Sequence, residues 1–200
     1  MEQLKTFKEN GYCIVKSAID ADLRDFVTQY ALFDEMRNFE ADEQQVVGAH
    51  AKYADPAMET LLLKLLPLME KHTGLELLPT YSFYRVYRPG DELVAHKDRP
   101  SCEISCTLCF NYSYDDYSWP IFMDGTSITQ QPGDLAIYRG CDLAHWREKF
   151  NITDKAAWHV QGFFHYVDKN GPFPEYQFDQ RESLGLLKNS SLKKQYIKYV

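Results

Sequence analysis

The sequence contains no hydrophobic run long enough to cross a membrane. Its longest apolar stretch, from Leu61 to Met69, is interrupted by Lys64 and Pro67, and it is far shorter than the roughly 20 residues that a bilayer requires. The N-terminus also lacks the basic and then apolar pattern of a secretory signal peptide. We therefore expect a cytoplasmic protein with no membrane partner.

The chain also lacks an excess of positive charge. Its 22 lysines and arginines are outnumbered by 29 acidic residues, which gives a net charge of -7, so it has no general attraction for phosphate backbones. We interpret a basic cluster near the C-terminus as part of a solvated amphipathic tail; its members are Lys188, Lys193, Lys194 and Lys198. We expect no nucleic-acid partner.

Cysteines are few, and they are not arranged as a disulfide framework. Their number is odd, at five, so we expect free thiols in a reducing compartment. Cys102, Cys106 and Cys109 form a C-x3-C-x2-C motif of the kind that holds the iron-sulfur cluster of radical S-adenosylmethionine enzymes. However, the residues around them alternate as a strand, which turns the thiols to opposite faces. Buried structural thiols are therefore favoured over a cluster.

The chain has enough apolar residues for a single domain over residues 1–200. Hydrophobic residues make up 44% of it and aromatic residues 14%, which excludes wholesale disorder. A short helix over 1–10 and a strand over 12–16 are followed by two amphipathic helices, which begin at Asp20 and at Asp55-Pro56. The second ends at Gly74, with a kink predicted at Pro67. We predict helical support over residues 1–77, with a polar, mobile segment at 38–52.

From residue 78 the apolar period changes to two. Short runs rich in Tyr, Phe, Val, Ile and Thr alternate with turn signals such as Arg88-Pro89-Gly90-Asp91 and Pro132-Gly133-Asp134, and no helical pattern separates them. Such closely spaced strands favour a sandwich or jelly roll over a parallel sheet. We assign residues 78–168 to this β core and 169–200 to a C-terminal tail with a helix around 190–199.

Three side chains of the β core have the chemistry of a metal site. His96 and Asp98 are two residues apart, so in an extended chain both point to the same face. His145 follows the strand predicted over 135–138. Two imidazoles and one carboxylate leave coordination positions open, which suits a non-haem Fe(II) that binds O2 and a co-substrate together. A zinc site with the same ligands is the alternative.

These motifs resemble those of the 2-oxoglutarate- and Fe(II)-dependent dioxygenases, in particular the prolyl-hydroxylase-like and phytanoyl-hydroxylase-like branches. The first matching stretch runs from Val86 to Asp98, the second from Gln131 to His145, and the third is the predicted closing strand from Phe163 to Val167. The resemblance covers residues 78–168 and, more loosely, residues 7–15.

The resemblance implies a mainly β fold, a double-stranded β-helix (jelly roll, cupin-like) with N-terminal helices as a supporting layer. It implies that His96, Asp98 and His145 hold Fe(II) and that 2-oxoglutarate chelates the metal. O2 then converts 2-oxoglutarate to succinate while an unactivated C-H bond is hydroxylated; ascorbate is an optional further cofactor. No catalytic residue is assigned beyond the metal ligands. The expected substrate is a prolyl or peptidyl residue or a small carboxylate-bearing molecule, and a homo-oligomer is left open.

The far carboxylate of 2-oxoglutarate requires a cation and a hydroxyl group. Tyr87 matches the cofactor-binding tyrosine of prolyl-hydroxylase-like members, with an ordinary core aromatic as the alternative. For the cation, the resemblance gives Lys155, ten residues after the distal histidine. The register of the closing strand instead gives His159, which would have to be protonated. Arg147 is a third candidate because it shares the inward face of His145 in an extended segment.

Further residues are expected around the pocket. Arg99 and Glu103 form a candidate pair that orients the metal carboxylate, with solvated surface charge as the alternative. His165 is interpreted as a satisfied core residue and not as a fourth ligand. The pocket mouth is predicted to carry aromatic side chains and cations, namely Tyr114, Tyr117, Trp119, Trp146, Arg85, Arg99 and Arg139. A non-catalytic cupin-like metal-binding module is the alternative function, because one barrel serves both roles.

Overall fold

The computed structural model describes residues 2–42 and 44–187, and its first half contains three α-helices. They are α1 (Glu2–Asn10), α2 (Ala21–Arg37) and α3 (Pro56–Thr73). The predicted caps are confirmed: Asp20 Oδ1 accepts from the Leu23 amide at 2.8 Å, and Asp55 accepts from amides in the first turn of α3. Gly74 ends α3 with a left-handed φ of 73°. Within the described residues, no helix combines the length and the apolar character needed to cross a membrane.

Ten strands form two antiparallel sheets. The strands are β1 (Tyr12–Val15), β2 (His50–Tyr53), β3 (Leu77–Tyr87), β4 (Leu93–His96), β5 (Ile104–Tyr112), β6 (Ile121–Met123), β7 (Thr126–Ile128), β8 (Leu135–Arg139), β9 (His145–Arg147) and β10 (His159–Asp168). The larger sheet has the order β1-β8-β5-β10-β3-β2, and the smaller sheet has the order β4-β9-β6-β7. The prediction of a mainly β chain with N-terminal helices is confirmed.

The two faces of the larger sheet differ in character. On β10, Val160, Phe164 and Tyr166 belong to an apolar core that the sheet shares with the helices. The helices contribute part of the predicted apolar stripes, including Val27, Ala31, Leu61, Leu62 and Leu65, whereas Phe26, which the helical spacing also places on the apolar face of α2, is 64% exposed. The alternating residues Gln161 and His165 face the smaller sheet, where Gln161 accepts a hydrogen bond from Arg147 of β9 at 3.3 Å. Polar groups therefore enter part of the space between the sheets, whereas Ile121, Met123 and Ile128 of the smaller sheet pack against Ala136 and Tyr138 of the larger sheet in an apolar cluster.

The polar segment predicted at 38–52 differs from expectation at its C-terminal end. β2 pairs with β3, with His50 and Val86 as Cα partners, and both His50 and Asp42 are buried. The reason is tertiary: the edge of the larger sheet supplies hydrogen-bond partners that local sequence does not reveal.

The chain after β10 returns to the helical layer. A 3₁₀ segment, Pro174–Gln180, is followed by Arg181, whose guanidinium forms a buried ion pair with Glu59 of α3. The helix predicted around 190–199 lies outside the described residues.

Candidate metal centre and its cavity

Two imidazoles and a carboxylate converge at one end of the space between the sheets. β4 and β9 are neighbours in the smaller sheet, and His96 and His145 are Cα partners across them. Asp98 Oδ1 lies 3.7 Å from His96 Nε2 and 3.6 Å from His145 Nε2. The three ligand atoms all lie within 4.8 Å of one another. One cation can therefore contact all three side chains.

The backbone orients both histidine rings. Nδ1 of His96 lies 2.8 Å from the carbonyl oxygen of Val94, and Nδ1 of His145 lies 3.1 Å from that of Leu143. Because a carbonyl only accepts, each ring carries its proton on Nδ1 and keeps the Nε2 lone pair for the centre. Burial lowers the pKa of both rings, which favours the neutral form that binds metals.

Asp98 is held by close packing around its carboxylate. Its backbone N–H donates to the Gly140 carbonyl at 2.9 Å, and Ser105 Oγ lies 3.2 Å from its Oδ2. A Cβ on Gly140 would lie 2.4 Å from Asp98 Oδ2 and 2.2 Å from the Cys102 carbonyl oxygen, so only glycine fits there. Burial raises the pKa of Asp98 to about 6, and a bound dication would favour its ionised form.

The predicted pair of Arg99 and Glu103 does not form. Arg99 donates to both carboxylate oxygens of Asp179, at 2.6 and 3.0 Å, and Glu103 accepts from the Asp168 amide at 2.8 Å. Ser105 takes the position beside Asp98 instead. The sequence carries no signal for this contact, because the serine reaches the aspartate only through the packing of β5 against the loop after β4.

A cavity of about 740 Å³ contains the three ligand candidates, within the size range of small-molecule sites. The predicted cations Arg85 and Arg99 line it, whereas Arg139 does not. Its aromatic lining differs from the prediction and consists of Tyr53, Tyr81, Phe83, Tyr138 and Phe163.

The aromatic residues predicted at the mouth lie elsewhere. Tyr114 and Trp119 are buried in an apolar cluster, with Tyr117 packed against it, and this cluster adjoins the cavity through Leu93 and Phe163. Trp146 stacks on Phe122 of the smaller sheet with ring centroids 5.2 Å apart. Tyr114, Tyr117 and Trp119 lie in the connection between β5 and β6, whose course the sequence did not indicate.

Two residues that sequence reasoning missed enter the cavity from the segment before β2. Asp42 forms a buried ion pair with Arg85. Gln45 accepts from Arg85 Nη2 at 3.1 Å, and its own amide nitrogen lies 3.3 Å from His96 Nε2. The same arginine donates to the Tyr87 hydroxyl at 2.9 Å.

Arg147 is a buried cation without a described carboxylate partner. It is 1% exposed and donates to the Trp119 carbonyl at 2.6 Å and to the side-chain oxygens of Gln130 and Gln161 at 3.3 Å each. Its Nε has no hydrogen-bond partner among the described residues, and burial lowers its pKa. Leu93, which lines the cavity, is the Cα partner of Arg147, so the two side chains project from the same face of the smaller sheet.

The other two candidate cations have different surroundings. Lys155 is exposed in the loop before β10 and does not line the cavity. Burial lowers the pKa of His159 to about 3, and its ring lies 2.8 Å from the Tyr114 hydroxyl and 2.7 Å from Gln161 Oε1. Its neutrality argues against His159 as a cation, since that role requires a protonated ring.

The three cysteines of the C-x3-C-x2-C motif are dispersed. Cys106 lies in the core beneath the helices, whereas Cys109 lies on the opposite face with Sγ 3.8 Å from His159 Nε2. Cys102 lies 3.0 Å from the Tyr81 hydroxyl. Burial raises the pKa of all three thiols. They are buried thiols, as predicted, and nothing favours a shared cluster.

His165 is a buried histidine, as predicted, and it lines the cavity. Its Nδ1 lies 2.8 Å from Ser105 Oγ, and burial lowers its pKa to about 3. Asp98, Cys102 and His165 form a second group whose ligand atoms lie within 4.8 Å of one another. The protonated thiol makes this set a weaker metal site than the two histidines with Asp98.

Comparison of the sequence finds no protein-family model and no curated protein that matches the chain. Solved structures do match its fold. A prolyl-4-hydroxylase from Pseudomonas putida has a TM-score of 0.64 at 16% identity, covering 82% of this chain and 97% of its own. HygX from Streptomyces hygroscopicus, with nickel, 2-oxoglutarate and hygromycin B bound, has a TM-score of 0.67 at 10% identity, covering 86% and 88%. EctD from S. alaskensis with bound Fe has a TM-score of 0.66 at 16% identity, covering 92% and 85%.

These likenesses define the fold class. The chain has the fold of these solved structures, with two antiparallel sheets and supporting helices that are consistent with a jelly roll, and at the level of the fold this agrees with the resemblance seen in its motifs. At identities of 10–16%, a similar structure shows the fold alone, and the activity depends on the residues of the site.

Proposed function

We propose that this protein is an Fe(II)- and 2-oxoglutarate-dependent dioxygenase that hydroxylates an unactivated C-H bond, with its two sheets forming a double-stranded β-helix. The observation that carries the proposal is the convergence of His96, Asp98 and His145 within 4.8 Å in a cavity of this fold. Two nitrogen ligands and one oxygen ligand leave coordination positions for O2 and a chelating co-substrate.

The residues present fit both groups. Two neutral imidazoles offer Nε2 lone pairs, and Asp98 offers the negative charge. Arg147 fits the far carboxylate of 2-oxoglutarate, because a buried guanidinium without a carboxylate partner is costly and an anionic ligand would supply the missing charge. Tyr87 accepts from Arg85 and keeps its own hydroxyl hydrogen to donate. Lys155 and His159 are not assigned to the binding of this carboxylate, because Lys155 does not line the cavity and His159 is neutral.

When bound, Fe(II) and 2-oxoglutarate supply the oxidising chemistry: one atom of O2 enters succinate as CO2 is released, and the other becomes the hydroxyl group of the product. The protein contributes placement and shielding. Val94 and Leu143 fix the histidine rings through their carbonyls, Ser105 steadies Asp98, and aromatic side chains form part of the cavity wall. No further general base is assigned.

We also propose that residues 1–200 act as one domain in the cytoplasm. The apolar core beneath the larger sheet includes residues from Phe7 to Leu184, so the helices, the sheet and the C-terminal segment share it. All five cysteines are free thiols, the state that a reducing compartment maintains.

The decisive experiment is anaerobic titration with Fe(II), with and without 2-oxoglutarate, followed through the visible charge-transfer band of the chelate. The wild type is expected to develop the band and, in air, to form succinate. His96→Ala should lose both, whereas His72→Ala, at the end of α3, should keep both. Fe(II) binding without the band would instead indicate a non-catalytic metal-binding module, and retained turnover in His96→Ala would refute the ligand assignment.

A further inference from the structure

Arg85 is held in the cavity as a rigid anion-binding group. It is 1% exposed, and its guanidinium carbon lies 5.2 Å from the ring centroids of Phe83 and Tyr87 and 5.4 Å from that of Phe163. Nη1 donates to the Tyr87 hydroxyl, and Nε has no partner among the described residues. The aromatic rings and this hydrogen bond fix the guanidinium, so its Nη2 is presented in one direction.

The anion now at Arg85 belongs to the chain itself. Nη2 pairs with the carboxylate of Asp42. That carboxylate also accepts from the backbone amides of Gln44 and Gln45, at 2.8 and 3.1 Å, and of Val46, at 3.3 Å. If the Asp42 carboxylate moved away from Arg85, it would still accept hydrogen bonds from these neighbouring amides. The free-energy cost of this movement to Asp42 is therefore small. Arg85, by contrast, needs a replacement anion, because it is buried.

The anion site and the metal site are adjacent. The side chain of Gln45 bridges them: its oxygen accepts from Arg85 Nη2 at 3.1 Å, and its nitrogen lies 3.3 Å from His96 Nε2. A single carboxamide therefore spans the gap between the guanidinium and a metal-ligand atom. A molecule with its carboxylate on Arg85 would extend its next carbon atoms toward His96.

We infer that Arg85 binds the carboxylate of the substrate, and that Asp42 and Gln45 occupy this position until the substrate displaces them. The inference rests on the proposed function and narrows its substrate class to a small molecule whose oxidised carbon lies within a few bonds of a carboxylate. The exchange replaces one carboxylate by another, so the buried charge stays balanced. The displaced Asp42 keeps its backbone partners.

The first test uses acetate as the minimal carboxylate, with acetamide as its uncharged match, at constant ionic strength and without metal. In the wild type, acetate should increase the rate of amide hydrogen exchange in the peptides that contain Asp42 and Gln45, and the increase should reach a plateau at high acetate concentration. Acetamide should leave this rate unchanged. Asp42→Asn removes the internal competitor and should bind acetate at least tenfold more tightly, measured by the midpoint of an acetate-dependent rise in thermal stability. No response to acetate in either protein would overturn the inference and leave a purely structural ion pair; if Asp42→Asn does not fold, the wild-type result decides.

The second test separates a substrate carboxylate from that of 2-oxoglutarate. Titration of the anaerobic Fe(II) protein with 2-oxoglutarate is compared in Arg85→Gln and Arg147→Gln. We expect Arg147→Gln to weaken the binding of 2-oxoglutarate at least tenfold more than Arg85→Gln does. If Arg85→Gln weakens this binding more, Arg85 binds the co-substrate and the inference is overturned. If the wild type shows no charge-transfer band, the proposed function fails, whereas the acetate response still reports on Arg85 independently.

Discussion

His96 and His145 are Cα partners on β4 and β9, and their ring centroids lie 4.3 Å apart. Each ring is hydrogen-bonded to the carbonyl two residues before it. Because both restraints are backbone features, the pairing of two short strands sets the geometry of the nitrogen ligands. A shift of one residue in this register would turn one ring away from the other.

Ser105→Ala tests the hydroxyl beside the metal carboxylate. Ser105 Oγ lies 3.2 Å from Asp98 Oδ2, and removing it frees Asp98 to rotate, so we expect metal affinity to fall about 10- to 100-fold. Calorimetric Fe(II) titration under anaerobic conditions measures the change. The matched control is Ser82→Ala, which removes a buried hydroxyl without a described partner and should leave affinity unchanged. Equal affinities in both variants would contradict a positioning role for Ser105.

Arg147→Met separates an anchor from a structural arginine. If Arg147 binds the co-substrate, the variant should lose about 2–5 kcal/mol of 2-oxoglutarate binding energy. Its stability without ligand should stay equal or rise, because the substitution removes a buried charge with no carboxylate partner among the described residues. Urea unfolding and titration of the charge-transfer band measure the two quantities. A large loss of ligand-free stability together with unchanged 2-oxoglutarate affinity would assign Arg147 a structural role.

The buried ring of His159 should make the free energy of unfolding depend on pH. Burial, followed by the charge of Arg147, lowers its pKa from 6.5 to about 3 in the folded protein. Between these values the unfolded chain binds one more proton, so this contribution to stability is complete above about pH 6.5 and is lost as the pH falls toward 3, by up to about 1.4 kcal/mol per pH unit. Between pH 6.5 and 3, the unfolding free energy of His159→Gln, measured in urea, should fall less steeply with decreasing pH than that of the wild type. The difference in slope should correspond to about one bound proton. Parallel pH profiles for the variant and the wild type would contradict the assignment.

The ion pair of Glu59 and Arg181 attaches the C-terminal segment to α3. Both side chains are buried, so Glu59→Gln leaves an unpaired buried guanidinium and should cost about 3–5 kcal/mol of unfolding free energy. Adding Arg181→Met should recover part of that loss in a double-mutant cycle. Glu76→Gln, which breaks the exposed pair with Lys169, should have little effect. A small cost for Glu59→Gln would indicate that water reaches the pair.

Much of the site could be predicted because its signals are local. The spacing of His96 and Asp98 follows from strand alternation, and the caps at Asp20 and Asp55 follow from hydrogen bonds within one helical turn. The contact of Ser105 with Asp98 and the Asp42 ion pair could not be predicted in this way. The ion-paired residues Asp42 and Arg85 are 43 residues apart, and their meeting depends on how the segment before β2 crosses the sheet edge.

The sequence by itself determined the three described helices, the alternation of the main strands and the pair of His96 and Asp98, because each depends on periods of two to four residues along one chain segment, whereas His145 was indicated by its position after a predicted strand and by the family resemblance. Only the tertiary structure decided which cations carry a counter-charge. Arg99 has Asp179 and Arg85 has Asp42, whereas Arg147 has no carboxylate partner within the described residues. The physical reason is that counter-charges are supplied by tertiary packing, which brings Asp42 from before β2 and Asp179 from after β10 to arginines far from them in the chain.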